Sequence, residues 1–142
     1  MSEPPPSPAI HVSSHRIAPA SPTAPTLVVQ VTHLVDSYML WVGVADEPHV
    51  PEEQVIRNGH LARDWACAMP ARDSSAAPGG ASLFRSSSDI ALPMAQRLAR
   101  RFKKQMYVSV DIPASITTAG ADTQIALEME KALMKTLKGL EQ

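Results

Sequence analysis

The side chains able to do covalent or metal chemistry are few, and their spacing suits none of it. The single cysteine, Cys67, sits between alanines with no base at hand, and it reads as a buried, inert thiol. Ser86, Ser87 and Ser88 cluster where a loop meets the start of a helix. His11, His15, His33, His49 and His60 are scattered, and only the first two are close in sequence. On a strand, residues four apart share a face but lie roughly 13 Å apart, too far to hold one metal ion. The paired carboxylates Asp46/Glu47 and Glu52/Glu53 fall in a loop without the apolar surroundings that would shift their pKa values. Gly79-Gly80 is not followed by the lysine-serine pair of a phosphate loop. The expectation is a chain with no catalytic residue, metal or cofactor.

One constellation does rise above background. Arg97, Arg100, Arg101, Lys103 and Lys104 place five of the 13 Lys and Arg residues within eight positions. They are either the solvated face of an amphipathic helix or a docking patch for an acidic protein surface. Nucleic acid suits them less. The net charge is -1, and no set of aromatics interleaves with the charges, since Phe102 belongs to the apolar stripe of the same helix.

The elements that must carry these residues fit one domain. A chain of 142 residues with 44% apolar content can bury a core, and with only 4% aromatics that core must be aliphatic and methionine-rich. A lone cysteine suits a reducing compartment. The N-terminus lacks the pattern of a signal peptide, and no apolar run reaches the roughly 18 residues of a membrane helix. These features predict a soluble protein of the cytoplasm or nucleus, with no membrane partner.

Seven of the 13 prolines lie in the first 25 residues. Residues 1–8 are expected to be a disordered proline-rich tail, and 9–142 a single α+β domain. A first strand is expected over 9–17. Residues 27–34 alternate as a strand, a turn follows at 35–37, and 38–44 is apolar on both faces, as in a central strand. Residues 45–53 read as a loop. Large residues alternate with alanines over 61–69, which predicts a strand, with a helix as the competing reading. A loop at 71–81 and a short strand at 82–86 come next. A helix starts within 88–92, where Pro93 fits only the first turn, and runs to about residue 103. Its stripe is Ala91, Met94, Ala95, Leu98 and Phe102. A strand over 105–112 and a loop at 113–120 lead to a last helix capped by Asp122 or Thr123. This order predicts an antiparallel sheet of about five to six strands with two helices on one face.

A turn centred between Asp36 and Ser37 would set Val31 opposite Val42, Val29 opposite Val44 and His33 opposite Leu40. One sheet face then holds Val29, Val31, Leu40, Val42 and Val44, which suits the helices. The other holds Gln30, Thr32, Leu34, Met39, Trp41 and Gly43. Leu34, Met39 and Trp41 are therefore expected to lie without cover and to form a partner interface; the alternatives are that Trp41 is ordinary core under the N-terminal segment, or that a three-residue turn exchanges the two faces.

Two stretches carry a family resemblance. Asp36, Ser37, Leu40, Trp41, Val42 and Gly43 form an Asp-Ser turn leading into a strand that ends Leu-Trp-Val-Gly. Ala95–Arg100 then Lys104, Gln105, Tyr107, Val108 and Ser109 form a helix passing into a strand. Both are similar to the proteasome assembly chaperone 4 family, as is Ser82-Leu83 before the helix. The proline-rich start, the longer loop after Gly43 and Met94 with its preceding Pro93 depart from the family. The resemblance implies a non-catalytic chaperone, half of a heterodimer with a proteasome assembly chaperone 3-like protein, that helps assemble the α-subunit ring of the 20S proteasome. Its partners would be that protein and proteasome α subunits. The alternative from the residues alone is a small regulatory or trafficking scaffold.

Overall fold

The computed structural model describes residues 10–19, 21–45, 47, 49–73, 78–85, 89–113 and 122–141. The expected tail at 1–8, the serines at 86–88 and most of the loop at 113–120 lie outside them. The strands are β1 (His11–Ile17), β2 (Thr26–Leu34), β3 (Ser37–Ala45), β4 (Trp65–Met69), β5 (Gly79–Phe84) and β6 (Gln105–Asp111). The helices among the described residues are α1 (Glu52–Arg57), α2 (Ala91–Phe102) and α3 (Asp122–Leu140). They build an α+β fold on one six-stranded sheet of order β1-β2-β3-β6-β4-β5. The sheet is mixed: β3 and β6 run parallel at its centre, and the other neighbours are antiparallel.

The hairpin turn is centred one residue earlier than expected, between Val35 and Asp36. Leu34 pairs with Ser37, so the turn is only Val35 and Asp36, and Val31 faces Leu40 while Val29 faces Val42. Asp36 takes φ 53, a left-handed conformation that a short aspartate side chain tolerates, and this closes the turn in two residues. The pairing moves by two residues from the expected one. An even shift leaves every side chain on its own face, so the division into aliphatic and mixed faces stands.

The aliphatic face is the core. Leu27, Val29, Val31, Leu40, Val42, Met106, Val108 and Val110 are buried with Met94, Leu98, Met129, Leu133 and Leu137 of α2 and α3. Both long helices cover this face, as the two apolar stripes require. Pro93 falls in the first turn of α2, where its missing N–H costs nothing. The helix ends at Lys103, whose φ of 57 bends the chain away while its N–H donates to the Ala99 carbonyl.

Three other readings change. The segment after β3 is not all loop, because α1 forms at Glu52–Arg57. Only Val55 and Ile56 of that helix are apolar, too few to show a period, so tertiary contact makes it. Gly79 and Gly80 belong to β5, paired with Met69 and Ala68, where backbone hydrogen bonding replaces any side-chain signal. Residues 61–63 form a 3-10 turn, and the strand expected over 61–69 begins at Trp65.

Candidate functional site: the outer sheet face and the basic helix surface

The face of the sheet away from α2 and α3 divides into a covered half and an open half. Over the covered half lies α1. Val28, Trp41, Ala45 and Val55 form a second small core there, with Val50 and Ile56 against it. Trp41 is 7% exposed. Its indole lies so close over Gly43 and Gly59 that a Cβ on either would collide with the ring. The expectation that Trp41 lies bare is therefore corrected. It is on the expected face, but α1, which the sequence did not reveal, covers it.

Two anchors hold that cover. Arg16 of β1 pairs with Glu52 at 3.3 Å and also donates to the Val50 carbonyl. Glu52 is held below the usual carboxylate range by a backbone hydrogen bond at its own N–H and by Arg16. Asp111 of β6 is buried, accepts the His60 N–H at 2.7 Å and pairs with Arg63 at 2.9 Å. The Ser109 hydroxyl donates to the Leu61 carbonyl at 2.6 Å. The segment from α1 to the 3-10 turn is thus pinned at both ends.

The open half begins one row further along. Register places Val12, Thr32, Met39, Tyr107, Cys67 and Ala81 in a single row crossing all six strands. Thr32, Met39, Tyr107 and Cys67 are half-buried, while Val12 and Ala81 at the edges are exposed. Leu34 lies beside this row on the same face and is also half-buried. Met69 and Phe84, on the same side, are 56% and 53% exposed. Leu34 and Met39 therefore stand where the sequence reading put them, at the end of a broad and mainly apolar sheet face. Cys67 is on this face, not fully buried, and its sulfur accepts a hydrogen bond from Gln105 at 3.4 Å. Gln105 also donates to the Tyr107 hydroxyl at 3.0 Å.

The five basic residues lie together on or just after α2, but they do different work. Arg97 donates to Glu130 of α3 at 2.7 Å, and Lys104 pairs with Glu141 at 2.9 Å. These two bonds fasten α2 to α3. Lys104 also lies 5.2 Å from the ring centre of Tyr38, whose hydroxyl donates to Glu141. The Lys104 hydrogen bond holds the Glu141 carboxyl below its usual range, and the same bond raises Lys104. Burial first, then Glu141, pushes the Tyr38 phenol up. Arg100, Arg101 and Lys103 are exposed and make no ion pair among the described residues.

The histidines hold one surprise. Pairing of β1 with β2 sets His11 opposite His33, and their rings stack 4.4 Å apart. Ser13 links His33 to His15 through hydrogen bonds of 3.4 and 3.0 Å. Burial, then the nearby His11 and His15, hold His33 below its ordinary value. No group of three or more potential ligands that could hold a metal occurs among the described residues. Nor is any helix among them long and apolar enough to cross a membrane.

Comparison with known proteins follows the same elements. Residues 26–112, from β2 through β6, match the family model of proteasome assembly chaperone 4. The fold is similar to a chain in the crystal structure of a novel chaperone complex for yeast 20S proteasome assembly. The two share 21% sequence identity and a TM-score of 0.67, over 92% of this chain and 97% of that one. No sequence match is found among curated proteins.

Proposed function

The chain belongs to the proteasome assembly chaperone 4 family, and from that premise we propose that it is a non-catalytic chaperone of 20S proteasome assembly. In the finer reading it is half of a heterodimer with a proteasome assembly chaperone 3-like protein, and the pair assists formation of the α-subunit ring. Its place of work is the cytoplasm and nucleus. The observation that carries the reading is the family match over β2 to β6, the part of the chain that builds the sheet centre and the open outer face.

That face is the proposed site of the heterodimer. The half of the second sheet side that α1 leaves open is mainly apolar, and an open apolar face of this kind calls for a partner. Met39 and Leu34 are its proposed contact residues, with Tyr107 beside them. The basic cluster is the proposed second contact, for an acidic partner surface. Arg100, Arg101 and Lys103 would meet that surface directly, while Arg97 and Lys104 hold the two helices in place.

Mass spectrometry of proteins co-purified with the tagged chain tests the function. Proteasome α subunits and a chaperone 3-like protein are expected together. Their absence, with a different stable partner in their place, would favour a regulatory or trafficking scaffold. Met39→Glu tests the interface. It should abolish the heterodimer, while the isolated chain, in which Met39 is half-buried, stays folded and loses about 0.5–3 kcal/mol, as most single substitutions do. An intact heterodimer in that variant would move the interface elsewhere.

A further inference from the structure

The fold uses only one side of α3. Ile125, Met129, Leu133 and Leu137 are buried against the sheet. At helical spacing, Leu127, Lys131, Met134, Lys135 and Lys138 fall within a second stripe roughly 100° wide on the opposite side. Leu127 is 47% exposed, and all three lysines are exposed. Met134 supplies the apolar surface of an open cavity of about 370 Å³, walled by Glu130, Lys131, Lys135 and Lys138.

The carboxylates near this stripe are occupied. Glu130 is taken by Arg97, Glu141 by Lys104, and Glu128 faces Lys131 at 3.7 Å. Lys135 and Lys138 make no ion pair among the described residues, and neither do Arg100, Arg101 and Lys103. The bonds Arg97–Glu130 and Lys104–Glu141 set α2 and α3 side by side and parallel, so these five cations lie at the same end of the helix layer, with Arg100 and Lys103 beside residues 70–73. Two parallel helix C-termini present only about half a negative charge each. That compensates for a small part of five positive charges.

We propose that this outward face of α3, with the adjoining end of α2, docks an acidic amphipathic segment of a protein partner. An apolar side chain of the segment would rest on Met134, and carboxylates a turn away would meet Lys135, Lys138 and the α2 arginines. Nucleic acid fits the surface less well. Glu128 and Glu130 flank the stripe, and among the described residues the stripe itself, Leu127, Lys131, Met134, Lys135 and Lys138, carries no aromatic ring to serve as a base-stacking platform. A membrane fits less well too, because Leu127 and Met134 are too little apolar surface to insert. The inference rests on the proposed function in taking the chain to work by binding protein, and it extends the proposed basic contact on α2 across α3; the docking face lies on the opposite side of the sheet from the proposed heterodimer interface.

The test uses the full chain and fluorescence anisotropy. The probe is a labelled synthetic helical peptide with one leucine per turn flanked by glutamates. Its glutamine-for-glutamate counterpart, a single-stranded DNA oligonucleotide and phosphatidylserine vesicles serve as alternatives. The glutamate peptide should bind at least about tenfold more tightly than each alternative, and at least about tenfold more weakly at physiological than at low salt. The Lys135→Glu/Lys138→Glu variant should lose at least about tenfold in affinity, and a lysine version of the peptide should bind that variant in its place. Binding unchanged in the variant, tighter binding of the oligonucleotide or vesicles, or no saturable peptide binding would each overturn the proposal. Co-purification with proteasome subunits is read on the same variant. Its retention there separates failure of this docking face from failure of the chaperone reading.

Discussion

Asp64 should contribute more to stability than its position in a connecting segment suggests. It precedes β4, yet its carboxylate accepts the N–H groups of Ile90 and Ala91 at 2.8 and 3.2 Å. Those are orphan donors at the start of α2, whose flanking residue Ile90 offers no side-chain cap of its own. Asp64 thus caps a helix 26 residues away, while its own carbonyl accepts the Val110 N–H at 2.8 Å. It is 3% exposed, and Ala91 is fully buried, so water cannot replace the carboxylate. Loss of a cap costs roughly 0.5–2 kcal/mol, and a buried N–H left without a partner costs about 1–3 kcal/mol. The two overlap, so Asp64→Ala should cost about 2–3 kcal/mol, and Asp64→Asn, which keeps an acceptor but loses the charge, about 1 kcal/mol. In a chain of this size the alanine variant should melt roughly 6–15 °C lower. Urea unfolding followed by far-ultraviolet circular dichroism measures the loss, and hydrogen exchange should show α2 opening first. A cost below about 0.5 kcal/mol for Asp64→Ala would refute the remote cap.

Three further outcomes can be checked on the isolated chain. Leu98 is fully buried between the helices and the sheet; Leu98→Ala should cost roughly 2–5 kcal/mol in denaturant titration, and a loss below about 1 kcal/mol would make α2 peripheral. Gly43→Ala pushes a methyl into the Trp41 ring and should cost about 1–3 kcal/mol, read by the same titration and by a change in tryptophan fluorescence. His33 is held below its ordinary 6.5, by burial first and then by His11 and His15, so the unfolded chain takes up the proton more readily. Stability should therefore fall as pH drops from about 6.5 toward the lower folded value, and level off below it. His33→Gln should flatten that slope, and an unchanged slope would assign the acid sensitivity to another group.

What could be read from the sequence was whatever repeats along one element. The alternation over β6 and the stripe of α2 gave both with their boundaries nearly right, and the even shift in the β2–β3 turn did not disturb which residues share a face. Leu34 and Met39 were placed on the outer face for that reason. What could not be read depends on residues far apart in the chain. Helix α1 has two apolar residues and is held by Arg16 from β1, 36 positions away. Without it the cover over Trp41 is invisible. The basic cluster was legible as a helix surface, but its division into paired and unpaired members depends on Glu130 and Glu141, 33 and 37 residues further on. The stacked His11 and His33 exist only because an edge strand adopts one register. Gly79 and Gly80 carry no side-chain pattern, so nothing local marks them as a strand.

The parallel β3–β6 pair at the sheet centre imposes an order on folding. Ser37 meets Gln105 and Trp41 meets Ser109, contacts about 70 residues apart in the chain. The hairpins β1–β2–β3 can close on local pairing, as can β4 with β5, but the seam joining the two halves forms only after α2 and β6 have left the ribosome. Contacts of that span slow folding, because loop closure must precede any gain from pairing. Until β6 arrives, the newly made β3 (YMLWVGV) presents an unpaired, uncharged edge with high β-propensity, the kind of strand that recruits other strands. The central position of β6 therefore leaves the nascent chain aggregation-prone for about the time needed to synthesise 60 more residues, a few seconds at ordinary elongation rates.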